Sequence, residues 1–154
     1  MSNSSSTQYP PHSPEHRKLI DDHRFFELAV VRHQEALVGI ELEAARRLFD
    51  ELRCAKIEHM QCEEAELLPL YATQASWERG GRPELFRAEH KQIYHMLNAL
   101  TQLLDDLARP GAMNRKAVID LIDAEKAFKG VLEHHVLREH FHLFPALARL
   151  DRGP

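Results

Sequence analysis

A chain of 154 residues, 44% hydrophobic and 29% charged, is about one domain's worth and has globular rather than disordered, collagenous or disulfide-dense composition. Twenty basic residues against 24 acidic ones give a net charge of −4, with both signs interspersed and a pI near 6.2, so no basic footprint for nucleic acid or anionic lipid exists. Eleven histidines stand beside only two cysteines, which directs the search for chemistry to the side chain that most often binds metals.

Residues 1–14, MSNSSSTQYPPHSP, are too polar and proline-rich to offset the entropy of ordering and are expected to form a flexible tail. They hold no apolar core of a secretory signal, and apolar runs elsewhere, such as Ala29-Val30-Val31, fall far short of the ~20 residues that span a bilayer; a soluble, cytoplasmic protein without membrane partners is expected. Gly39 is the sole interruption between Glu15 and Leu68, leaving stretches 15–38 and 40–68 for two long helices. After the Gly80-Gly81-Arg82-Pro83 break a third stretch runs from Glu84 to Arg109, and beyond Pro110-Gly111 an Asn114 N-cap opens a fourth that extends towards Leu150. Cys54 and Cys62 fall on the second, about 12 Å apart at the helical rise, too far to bridge, so reduced thiols are expected.

Apolar residues recur at alternating spacings of three and four. The third stretch reads Phe86, His90, Ile93, Leu97, Leu100, Leu104, Leu107; the first reads His23, Phe26, Val30, His33, Leu37. Leu52, Ala55, His59, Glu63, Leu67, Leu70 trace the second and Phe128, Leu132, His135, Glu139 the fourth. Short connections make neighbours antiparallel, which predicts an all-α, up-down-up-down four-helix bundle over 15–150, with 151–154 as a C-terminal tail.

Shifted by 76 residues, AKIEHMQCEEAELLPLY superposes on VLEHHVLREHFHLFPAL, matching His59 with His135, Glu63 with Glu139 and Pro69 with Pro145. The repeat is His-x3-Glu-x5-Pro. Residues four apart share a helix face, so each pair can point at one metal centre, the imidazole giving one bond and the carboxylate two oxygens able to bridge two cations. His33 and His90, on the inward stripes of the other helices, complete a set of four imidazoles and two carboxylates. Such mixed ligation with open positions favours non-haem iron over structural zinc, calcium or magnesium. His23, about 15 Å from His33 along the axis, is read as a hydrogen-bonded core histidine, and His134 as a surface residue.

With His33, His59-x3-Glu63, His90 and His135-x3-Glu139 ahead of Leu143-Phe144-Pro145, the chain resembles the hemerythrin-like, HHE cation-binding family over residues 16–150. The resemblance implies a four-helix bundle around two iron ions, bridged by oxo or hydroxo, that bind dioxygen or a related small ligand, with those six residues as ligands. Oxygen-carrying members have a second histidine one turn beyond the third-helix ligand; here that position is Tyr94, which places the chain closer to the bacterial branch. Tyr94 is a candidate ligand or hydrogen-bond donor or else a core aromatic. His142 is a candidate for a role beside the ligands or along an access path. Three functions stay open: a di-iron protein binding dioxygen, nitric oxide or peroxide for sensing, buffering or detoxification; a di-iron oxidoreductase turning over peroxide or nitric oxide with an unidentified reductant; and a metal-poor helical interaction module.

Overall fold

The computed structural model describes residues 14–150, with side chains from Arg17 onward. The tails expected over 1–14 and 151–154 lie outside the described residues, except that Pro14 opens the first helix. Helix α1 spans Pro14–Val38; α2, Leu42–Cys62, continues through a π-helical turn, Glu63–Leu67, into the short α3, Leu68–Tyr71. Helix α4 spans Pro83–Leu107, and α5, Arg115–Arg138, continues through a second π-helical turn, Glu139–Leu143, into α6, Phe144–Leu150. These form four rods in a bundle, with α1 packed along α2, α4 along α5, and the α1–α5 and α2–α4 seams closing the ring. No strand occurs among the described residues, and no helix there is long and apolar enough to cross a membrane.

The boundaries have local causes. Asn114 accepts a hydrogen bond from the Ala117 amide at 3.0 Å, as an N-cap should, and Pro83 sits in the first turn of α4, where its missing N–H costs nothing. Helix α1 ends in two closing bonds, Ile40 N–H to Leu37 O at 3.0 Å and Glu41 N–H to Ala36 O at 2.9 Å, a geometry that demands a left-handed residue. That residue is Ile40, at φ 58°, rather than the adjacent Gly39.

Apolar side chains collect in two clusters, a larger one containing Phe26, Phe49, Leu97 and Phe128, and a smaller one containing Leu67, Phe86, Phe144 and Leu147, against which Trp77 packs. Every residue of the third predicted stripe, from Phe86 to Leu107, is buried. The second stripe departs from expectation at two positions. Lys56 is fully buried where Ala55 is only partly so, and Tyr71, not Leu70, faces inward beyond the π-helical turn. A polar layer separates the two clusters. On each rod it falls between a residue of one cluster and a residue of the other: His23 between Leu19 and Phe26, His59 and Glu63 between Leu52 and Leu67, His90 between Phe86 and Ile93, His135 and Glu139 between Leu132 and Leu143.

Candidate metal centre

Both His-x3-Glu pairs lie where α-helix gives way to a π-helical turn, and the proline that completes each repeat supplies the reason. Proline clashes with the carbonyl four residues back and brings no N–H, so an unbroken α-helix across Pro69 or Pro145 is disfavoured. The residue before each proline instead bonds five residues back, Leu68 N–H to Glu63 O and Phe144 N–H to Glu139 O. The carbonyls thus recruited belong to the two carboxylate residues themselves, which fixes both glutamates at equivalent places in the bundle.

Ligand atoms of Glu63, His90, His135 and Glu139 lie within 4.8 Å of one another, as do those of His23, His59 and Glu139. The oxygens of each glutamate face different histidines. Glu63 Oε1 lies 3.1 Å from His59 Nε2 and Oε2 lies 3.0 Å from His90 Nε2. Glu139 Oε2 lies 2.5 Å from His23 Nε2 and Oε1 lies 2.6 Å from His135 Nε2. Three outer carboxylates hold imidazoles by the far nitrogen: Asp22 takes the His59 Nδ1–H at 3.1 Å, Glu64 that of His90 at 2.8 Å, and Glu89 that of His135 at 3.0 Å. A carboxylate only accepts, so Nδ1 carries the proton and Nε2 is left to face the centre. His23 differs, its Nδ1 lying 3.3 Å from His140 Nε2. Arg138 donates from Nε to Glu89 at 2.9 Å and from Nη1 to the Gly80 carbonyl, tying the 72–82 connection to the His135 support.

The residues present fit a cation. His23 Nε2, His59 Nε2, His135 Nε2, Glu63 Oε1 and both Glu139 oxygens are buried with no properly directed hydrogen bond among the described residues, and all are donors of the kind that non-haem metals take. In the metal-free protein protons occupy that role. Burial opposes charge on His59, but Glu139 and Glu63 overcome it and raise its pKa to about 9. His135 is raised likewise against burial by Glu139 and Glu89. Burial and mutual repulsion push Glu63 up, yet His59 and His90 bring it below the usual range; Glu139, also opposed by burial, is held well below it by His135, His23 and His59.

Of the six residues predicted to converge, His59, Glu63, His90, His135 and Glu139 do so; His33 does not. His33 lies within the larger apolar cluster, its Nδ1 donating to the Ala45 carbonyl at 2.7 Å and its Nε2 2.5 Å from Glu125 Oε1. His23, taken from sequence as a core histidine, occupies the place expected of His33. A signal for this existed in the turn: His59 is nineteen residues past Ile40, His23 seventeen before it and His33 only seven, so an antiparallel pair levels His59 with His23. Tyr94 is 45% exposed and, with Glu64, His90 and His95, lines a cleft of about 500 Å³ between α2 and α4, so it is neither buried core nor a member of the converging group. His142 lies away from the cluster, against Gly81, where a Cβ would fall 3.0 Å from its Nδ1 and 2.9 Å from the Tyr71 hydroxyl. His134 is exposed, as expected, and touches Glu89 at 3.1 Å. Cys54 and Cys62 are free thiols; burial, Glu66 and Glu63 push the Cys62 thiol up, which disfavours the reactive thiolate.

Fold and site together define a helical-bundle protein with a buried histidine–carboxylate centre able to hold metal. The model of the hemerythrin HHE cation-binding domain matches residues 14–147. The chain belongs to that family. Compared likewise with curated proteins and with solved structures, it has no significant match.

Proposed function

We propose that the chain is a cytoplasmic non-haem di-iron protein that binds dioxygen, or nitric oxide or peroxide in its place, for sensing, buffering or detoxification. One observation carries the number of ions: the oxygens of Glu63 and Glu139 are each divided between two imidazole pairs, His23 with His59 and His90 with His135. On this reading each pair holds one ion and both glutamates are shared, so His23 replaces His33 in the ligand set. Mixed imidazole and carboxylate donors favour iron, which when bound supplies reversible redox chemistry and open positions for a small ligand. Outer carboxylates keep each Nε2 aimed inward, and the two apolar clusters limit water around the centre.

A second reading, turnover of peroxide or nitric oxide with an external reductant, is favoured by the Tyr94 cleft, which brings a solvent-facing phenol to the wall occupied by His90. Metal analysis and absorption spectroscopy test the first reading. Purified protein is expected to carry about two irons per chain with a charge-transfer spectrum that bleaches on reduction. A single tightly held zinc would refute it, whereas sustained peroxide consumption by the iron-loaded protein would establish turnover.

A further inference from the structure

Lys56 is a buried charged side chain near the centre that the ligand set does not use. It is fully buried, and its Nζ has no hydrogen-bond partner among the described residues. Its neighbour is the face of the Phe26 ring, whose centroid lies 4.9 Å from Nζ, and Phe26 in turn meets the His59 ring edge to face at 5.2 Å. Lys56, His59 and Glu63 follow one another at spacings of three and four, so the lysine stands one turn above the centre on the same inward face of α2. The nearby glutamates, Glu63 and Glu139, are already engaged with imidazoles. A ring face does not compensate an ammonium for its lost hydration, and a surface-type side chain held in that position needs a counter-charge from elsewhere.

We infer that Lys56 selects ligands by charge, its ammonium serving as counter-charge and hydrogen-bond donor to a small anion, of the class of azide, hydroperoxide or nitrite, taken up at the metal-loaded centre. This rests on the metal-site reading above. A neutral diatomic gains little from such a group, whereas an anion gains a charge-assisted hydrogen bond in a site screened from water. Lys56 would thereby set which of the small ligands the centre prefers.

The test is a spectroscopic titration of the iron-loaded protein with azide, and of its reduced form with nitric oxide, for wild type, Lys56→Met and Lys56→Gln, after iron content has been measured in each. Methionine keeps the apolar stem and removes the charge; glutamine keeps an N–H donor without charge and serves if the first variant does not fold. Azide affinity is expected to fall roughly tenfold or more in Lys56→Met and less in Lys56→Gln, with nitric oxide affinity within about twofold of wild type. Melting of the metal-free proteins gives an independent readout: Lys56→Met should melt higher, because an uncompensated buried charge has gone. Unchanged azide affinity in variants that carry full iron overturns the role of Lys56 alone. Equal loss of azide and nitric oxide shows a structural residue and overturns it too. Wild type that takes up no iron removes the metal reading, and this inference with it, before any azide is added.

Discussion

Two histidines on one stripe of α1 have opposite surroundings. His23 Nε2 is buried against Glu139 with no directed hydrogen bond, whereas both nitrogens of His33 are engaged, and Gln34 donates to the second oxygen of Glu125 at 2.8 Å. His33 with Glu125 is therefore a buried polar clasp joining α1 to α5, and through the Ala45 carbonyl to α2. Removing one member of such a pair strands the other, at a cost of about 3–5 kcal/mol. His33→Ala should thus lower the urea midpoint markedly while leaving metal content per folded chain unchanged. His23→Ala should lose at least part of the metal, with a smaller loss of metal-free stability than His33→Ala, because His135 and His59 still face Glu139. Metal analysis beside urea unfolding decides this, and metal lost from His33→Ala alone would reinstate His33 as the ligand.

Each rod owes its ends and interruptions to a few backbone positions. The closing bonds of α1 require left-handed backbone at Ile40, where a β-branched residue is strained by roughly 1–2 kcal/mol. Ile40 is 45% exposed, so little burial is lost on shortening it. Ile40→Gly is expected to stabilise the chain by about 1 kcal/mol after allowing for glycine's greater freedom when unfolded, and to raise Tm by about 2–4 °C. A calorimetric Tm unchanged or lowered would show that the α1–α2 turn tolerates isoleucine without strain. The π-helical turns are the same kind of feature put to use: a proline that α-helix cannot absorb displaces the hydrogen bonding by one residue and changes which side chain beyond it faces inward, Tyr71 instead of Leu70.

For the whole molecule, the centre couples folding, protons and metal. His59, raised from 6.5 to about 9, stabilises the metal-free fold fully below pH 6.5, and that contribution is lost as pH rises through 9. Glu63 and Glu139, lowered from 4.5, contribute above that value and lose it as pH falls through their folded-state values. Metal-free protein should therefore be most stable between about pH 4.5 and 6.5 and weaken towards pH 9. A bound cation takes the place of the imidazole protons, so loaded protein should lack the alkaline decline, and uptake near pH 7 should release protons and tighten as pH rises. Thermal melts at pH 5.5, 7.5 and 9 with and without metal, together with an indicator dye during loading, measure both. Parallel pH profiles and no proton release would mean that the histidines are not displaced by metal.

By itself the sequence determined what depends on neighbours along the chain. Spacings of three and four mark the inward face of each rod, Asn114 and the proline–glycine breaks divide the rods, and the His-x3-Glu repeat puts His59 with Glu63, and His135 with Glu139, on common faces. Periodicity specifies a face but not a height along the bundle, which is why His33 and His23 were equivalent in the stripe. The antiparallel register of α1 against α2, countable from the turn between them, lifts His23 to the level of Glu139 and leaves His33 in the apolar cluster beside Glu125. Only the tertiary structure decided the groups that reach across between rods. Asp22 supports His59 and Glu89 supports His135 because adjacent helices present those flanks to one another, a relation set by rotation and packing of whole elements. Lys56 is buried for the same reason: the close packing of α1 against α2 sets its ammonium over the Phe26 ring, and local propensity has no term for that.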